Sequence, residues 1–407
     1  MLSLVGVLVS MLTALIVVAL VHPRIVGFAQ KHQIVDNPDA RKLQRSPVPV
    51  MGGVAVFVGL VVGLCAVGLY DVLVPLCIDA FSWNLVFEPL GIVQLLPMFL
   101  GMTIMLAVGV ADDVSGLSPR LRFLIEIAVT LVLMLWTGHS LNDFQGLWGV
   151  GVVPLWISIP LTIVAVVGII NAINLVDGVD GLSSGYCIMA SGAFGVYFYY
   201  AGNYLLLLLC ALSIGALLPF FFHNVFGKKS KMFIGDGGSL MMGVVMSTYV
   251  VMAISSGGVG EEFMDKGFGV VPFTLAVMCV PVFDTMRVMV MRIIRGTSPF
   301  HPDKTHLHHL FIELGFSHFG TTVSELLLNT LVVAAWLVSY KLGWSIDVQF
   351  YVVIVVGMLL TAGFYKFMKI NQARKSCVYR MVARLGEATH FEGRKGWSKL
   401  QKIVDYK

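Results

Sequence analysis

The stretch NAINLVDGVDGLSSG, residues 171–185, ends the apolar run ISIPLTIVAVVGII with two asparagines, two aspartates and three glycines. A carboxylate beside hydrocarbon is costly unless it faces a polar cavity, a metal or a cation, so packing alone does not account for these residues. Three further segments have the same character: VADDVSGLSPRLR with Asp112 and Asp113, KMFIGDGGSL with Asp236, and HPDKTHLHHL with His306, His308 and His309. Asp284, in PVFDT, adds one more acid. Carboxylates are hard oxygen donors that suit Mg²⁺ together with water and phosphate oxygens. The glycine-rich turns DGVDG, 177–181, and GDGGSL, 235–240, open helices whose backbone N–H groups and dipole can hold phosphate. Together these residues describe a nucleotide-diphosphate site at a membrane surface.

Each segment alone also has a plainer explanation. Asp112 and Asp113 could cap the next helix or meet Arg120 and Arg122; NAINLVDGVDG could be a tight polar turn; GDGGS could be an ordinary glycine-rich helix start. HLHHL could be a surface histidine cluster or a transition-metal site, although no Cys or HExxH pattern accompanies it. Their joint occurrence is what favours the chemical reading, provided the elements that carry them bring them to one face.

Those elements are membrane helices. Of 407 residues, 57% are hydrophobic and 12% charged, and mean hydropathy is +0.88, values far from those of a soluble globular protein. Apolar runs long enough to cross about 30 Å of hydrocarbon as helix are placed near 2–21, 50–70, 92–111, 121–138, 153–171, 185–201, 203–222, 237–255, 269–292, 322–341 and 346–366. The expected fold class is an all-α polytopic membrane protein with eleven spans. Runs such as VGLVVGLCAVGLY lack the alternation of a transmembrane β-barrel. The first run has no Lys or Arg before Arg24 and is followed by ten more, so it is expected to be a span and not a cleaved signal peptide.

Cations set the orientation. The loops after the first, third, seventh and ninth spans and the tail from Lys366 hold 24 of the 27 Lys and Arg residues; Lys266 and Lys341 fall on the other side, and Arg287 lies within a span. By the positive-inside rule the N-terminus is outside and the C-terminus cytoplasmic. The polar segments follow the third, fifth, seventh and ninth spans, so all of them face the cytoplasm. Residues 1–368 are expected to form the transmembrane catalytic domain and 369–407 a basic cytoplasmic tail attracted to anionic lipid. The six cysteines lack a CxxC spacing and suggest neither disulfides nor zinc.

With DNPDARKLQRSPVPVMGG added before them, GVADDVSGLSPRLR, NAINLVDGVDGL, MFIGDGGS, PVFDT and SPFHPDKTHLHHL resemble the polyprenyl-phosphate N-acetylhexosamine-1-phosphate transferases of bacterial envelope synthesis. The likeness runs from about residue 36 to 310 and is greatest to enzymes that make undecaprenyl-diphosphate-N-acetylglucosamine; phospho-MurNAc-pentapeptide translocase is a more distant relative. It implies exchange of UDP-N-acetylhexosamine and undecaprenyl phosphate for UMP and a lipid-diphosphate sugar, with Mg²⁺, or Mn²⁺ in its place, in the bacterial cytoplasmic membrane. On this resemblance Asp112 and Asp113 form the acidic pair that works on the lipid phosphate. Asn174 and Asp236 neighbour the metal, supported by Asn171 and Asp177. Asp180 and Phe233 belong to the uridine pocket, His306, His308 and His309 contact diphosphate or sugar, and Arg45 lies near the nucleotide. The chain departs from the relatives at Gln44, Arg122 and Glu126, where they often carry His, Lys and Gln.

The expected partners are thus a UDP-sugar, undecaprenyl phosphate and the lipid bilayer, without nucleic acid; a homodimer is compatible with them. A MurNAc-pentapeptide or other UDP-N-acetylhexosamine donor is the alternative within the same chemistry. A transporter, the alternative of another class, would carry acids near mid-span or on both sides.

Overall fold

The computed structural model describes residues 4–38, 46–78, 94–256, 267–299 and 303–405. Helices dominate because lipid offers no partner to an open backbone, and a helix satisfies its own N–H and C=O groups. In chain order they are α1 Leu4–Lys31, α2 Gly52–Ile78, α3 Leu96–Ser115, α4 Pro119–Thr137, α5 Leu155–Leu175, α6 Leu182–Tyr200, α7 Tyr204–Phe226 and α8 Gly235–Ile254. There follow α9 Val270–Val277, α10 Cys279–Ile294, α11 Leu307–Glu313, α12 His318–Lys341, α13 Ile346–Met358, α14 Phe364–Ala373, α15 Cys377–Ala388 and α16 Lys395–Val404. A π turn, Leu359–Gly363, joins α13 to α14. Each of the eleven expected spans falls on helix. Among the described residues eight helical segments are long and apolar enough to cross a membrane, and the bent pair α9–α10 makes nine; α4 and α6, nineteen residues each, stand at the two other expected positions.

Reversals between spans are made by ordinary caps. Ser118 accepts the Leu121 N–H ahead of α4, with Pro119 at the first helical position, and Asn203, Ser317 and Ser345 do the same for α7, α12 and α13. Exposed Leu8, Leu12, Ile16 and Leu20 recur every fourth residue along α1 and form an apolar stripe facing outward. At the centre lies α8, with sixteen of its twenty residues buried, packed by α3, α5 and α2. Its contact with α3 is close because a Cβ on Gly237 would meet Val110 and the Leu106 carbonyl; small residues let helix backbones approach in this way.

The break between α9 and α10 bends the chain by 73°. Buried Asn329 of α12 satisfies the interrupted backbone: its Oδ1 accepts the Val280 N–H at 2.9 Å and its Nδ2 donates to the Val277 carbonyl at 3.0 Å. The bend directs α10, with Asp284, Arg287 and Arg292, toward the end of the bundle where α3, α5 and α7 finish and α4, α6, α8 and α12 begin. At the opposite end, Asn142 pairs with Ser256 and Asp347 accepts the Trp148 N–H at 2.7 Å.

Candidate active site

A cavity of about 1180 Å³ opens at the first of these ends. Asp113, Asn171, Asn174, Asp177, Asp180, Phe233, Asp236, His306, His308 and His309 all line it. Four polar segments far apart in sequence therefore converge, as their positions at the same end of alternating helices require. Of the two other expected residues, Asp112 is not part of the lining, and Arg45 lies outside the described residues.

The turn MFIGDGGS is held from two sides. The strands β1, Val35–Asp36, and β2, Val48–Pro49, pair antiparallel, and the chain after β2 pairs with residues 233 and 234: the Phe233 N–H donates to the Pro49 carbonyl, and the Gly52 N–H to that of Phe233. Met232 and Ile234 are buried, which leaves Phe233 at the cavity wall. Gly235 then adopts φ +74°, and a Cβ there would lie 2.6 Å from an Asp113 carboxylate oxygen. Only glycine passes comfortably through this left-handed position, and it sets Asp236 at the start of α8. The Asp236 N–H donates to Asp113 Oδ1 at 3.3 Å, and Asn174 Nδ2 donates to Asp236 Oδ1 at 2.8 Å and to Ser239 Oγ at 2.9 Å.

The adjacent acids divide. Asp113 lines the cavity, whereas Asp112 accepts the Leu117 N–H at 2.6 Å and an Arg122 N–H at 3.1 Å, closing the α3–α4 turn. Asp112 thus meets Arg122, one of the contacts its position allows, and its carboxyl also interacts with that of Asp236. Arg122 is the residue that local sequence understated. Besides Asp112 it reaches Asp236 Oδ2 at 3.8 Å and Glu126 Oε1 at 3.7 Å. Glu126 is fully buried and accepts from Asn171 Nδ2, so Asn171, itself on the cavity wall, is linked to Arg122 through Glu126.

Asp180 is engaged by Lys231 Nζ at 2.6 Å and His318 Nδ1 at 2.8 Å. Burial opposes its ionisation, but those two partners outweigh it and hold its carboxyl below the usual carboxylate range. Asp177 goes the other way: loss of water and the negative charges of Asp236, Asp113 and Asp180 push it well above its ordinary value. Neither Lys231 nor His318 was singled out for a site role in the sequence, because each finds Asp180 only through long-range packing.

The histidines are not a solvated surface cluster. His306 and His308 are buried, with their rings stacked at 5.6 Å. His306 Nδ1 lies 2.9 Å from Asp284 Oδ2, which also accepts the Leu307 N–H, and Arg287 binds the other oxygen of Asp284 at 2.6 Å. Burial and the neighbouring imidazoles push His308 far below the ordinary histidine value, and burial with His306 brings His309 down to about 4. Both are therefore neutral near pH 7 and can present a nitrogen lone pair or an N–H. Arg292 closes the segment before them through Asp303 at 2.8 Å. Among the described residues, no three His, Cys, Asp or Glu side chains form a ready ligand cage.

A bundle of membrane helices with a polar, carboxylate-rich cavity at one end defines a polytopic membrane protein built to handle a charged, hydrophilic group. Residues 95–254 match glycosyl transferase family 4. The chain is 27% identical over 313 residues, 77% of it and 79% of the relative, to the probable undecaprenyl-phosphate N-acetylglucosaminyl 1-phosphate transferase of Bacillus subtilis (strain 168). It is 29% identical to the undecaprenyl-phosphate alpha-N-acetylglucosaminyl 1-phosphate transferases of Escherichia coli (strain K12) and Salmonella typhimurium, over 71% of this chain and 72% of each relative.

Proposed function

We propose that the protein transfers N-acetylglucosamine-1-phosphate from UDP-N-acetylglucosamine to undecaprenyl phosphate, releasing UMP. The observation that carries this reading is the convergence of Asp113, Asn174, Asp177 and Asp236 with Arg122, Lys231 and three histidines on one cavity at the helix ends. A phosphate oxygen of the lipid attacks the β-phosphorus of the donor; a P–O bond forms there as the P–O bond to UMP breaks. In such transfers positioning and neutralisation of phosphate charge dominate. Asp113 faces the cavity and is the carboxylate placed to take a proton from the acceptor phosphate. Arg122 and Lys231 bring positive charge to the phosphates, and the neutral histidines offer hydrogen bonds to diphosphate or sugar.

The donor set fits Mg²⁺. Asp236, fixed by Asn174, and the mutually repelling Asp177 and Asp113 gather more negative charge than Arg122 offsets, and Mg²⁺ needs only one or two carboxylates, the rest being water and phosphate oxygens. Bound there, the ion would neutralise charge on the diphosphate. Because the acceptor is a long isoprenoid, the site opens at a membrane surface. The cation count favours the cytoplasmic side for that surface, with the N-terminus outside, and the bacterial relatives favour an inner membrane. The test is UMP release by purified protein with undecaprenyl phosphate and a panel of UDP-sugars. UDP-N-acetylglucosamine is expected to be used best, with release abolished by EDTA and restored by Mg²⁺. Release from UDP-MurNAc-pentapeptide alone would reassign the donor, and release unaffected by EDTA would remove the metal.

A further inference from the structure

The C-terminal residues do more than contribute charge. Trp397 of α16 packs its ring 4.7 Å from that of Phe226 and 5.8 Å from that of Phe319, and Trp397, Phe319 and Gln401 line the same cavity as the carboxylates. Directly after α16, at its C-cap, Asp405 accepts the backbone N–H groups of Lys228, Lys229 and Ser230 at 3.0–3.1 Å and the Ser230 hydroxyl at 2.9 Å. A carboxylate receiving three successive backbone N–H groups fixes that segment strongly. The next residue is Lys231, whose ammonium binds Asp180 on the cavity wall. Ser230 is tied to the core as well, through His223 Nδ1 at 2.9 Å and His22 Nε2 on its carbonyl at 2.9 Å.

We propose that the C-terminal helix completes the donor side of the cavity: Trp397 supplies an aromatic wall for the nucleotide, and Asp405 is a positioning residue that holds Lys231 toward Asp180. The nucleotide is the substrate this wall fits. Its base is a planar π system that stacks on an indole face, and α16, with Lys395, Lys399 and Lys402, is too charged to line the path of a prenyl chain. The inference rests on the transfer reading above and extends the site by about 170 residues beyond the Lys228–Lys231 loop.

The experiment uses the full-length enzyme and measures KM for UDP-N-acetylglucosamine and for undecaprenyl phosphate separately, with kcat and inhibition by UMP. Trp397→Ala and Asp405→Ala are each expected to raise the donor KM and the UMP inhibition constant about tenfold, as for loss of one good contact. The acceptor KM should stay near wild type in both variants and kcat in Trp397→Ala, whereas Asp405→Ala, acting through Lys231, should also lower kcat. Trp397→Phe should restore most of the donor affinity, and Asp405→Asn, which keeps an acceptor oxygen, should fall between. Unchanged donor KM, or a loss confined to kcat or to the acceptor, would overturn the proposal. If Asp405→Ala does not elute as monodisperse protein, the half-exposed Trp397 pair of variants decides. Wild-type enzyme that releases no UMP from any UDP-sugar would instead overturn the transfer reading, a result distinct from active enzyme with silent tail variants.

Discussion

Around Asp284 both carboxylate oxygens are matched: Arg287 on one, the His306 ring and the Leu307 N–H on the other. Around Asp236 the balance is reversed, since Arg122 reaches it only at 3.8 Å, and nearby Asp177 is driven up by burial and by the negative charges of Asp236, Asp113 and Asp180. The two acidic groups, one behind the cavity wall and one on it, are therefore built for different ends. The first is a finished scaffold that orients a histidine pair. The second keeps a surplus of negative charge, the arrangement expected of a place that receives a cation and phosphates.

Breaking the scaffold should have the largest effect on the folded protein. Asp284→Ala leaves the largely buried guanidinium of Arg287 with the Thr305 carbonyl but without its carboxylate, a loss of about 3 kcal/mol, so thermal unfolding in detergent should move to clearly lower temperature. An unfolding curve like that of wild type would show that Asp284 is not a scaffold and erase the contrast.

The surplus cluster should respond in rate more than in stability. Asp113→Asn is expected to lower kcat by about a hundredfold, in the range seen for loss of a key electrostatic group. Asp112→Asn, which disturbs a turn contact and Arg122, should cost about tenfold less than that. Equal losses, or a larger loss at Asp112, would reverse the division between the adjacent acids.

The smallest effect sharpens the scaffold side. His309 titrates near 4 in the fold against an ordinary 6.5, because burial and His306 oppose its charge. A histidine with a depressed folded value binds its proton more readily when unfolded. Its contribution to stability is complete above about pH 6.5 and is lost as pH falls toward 4. Melting temperature should therefore decline over that interval, and His309→Gln should flatten the decline. An unchanged slope in the variant would remove His309 as its source.

Much of this was legible in the residues. Apolar length alone predicts helix at each of the eleven expected spans, though not the break between α9 and α10 or the short helices outside them, and the placement of polar segments after the third, fifth, seventh and ninth runs predicts that they meet at one end, because successive membrane helices alternate in direction. The family resemblance selected the residues that line the cavity. Local pattern could not tell Asp112 from Asp113, since neighbours on a helix point about 100° apart and only packing against α8 decides which of them faces inward. Nor could it join Asp405 to Lys228, 177 residues away, or Arg122 to Asp236. Such pairs carry no periodic signal, since their partners come from different helices and meet only when the helices pack. Sequence by itself determined the solvent of this chain, the end of the bundle that holds its chemistry and the kind of chemistry. Which carboxylate faces the cavity, which cation answers it and whether the tail belongs to the site were decided by the tertiary structure, because each depends on a rotation or a contact that burial of the whole bundle fixes.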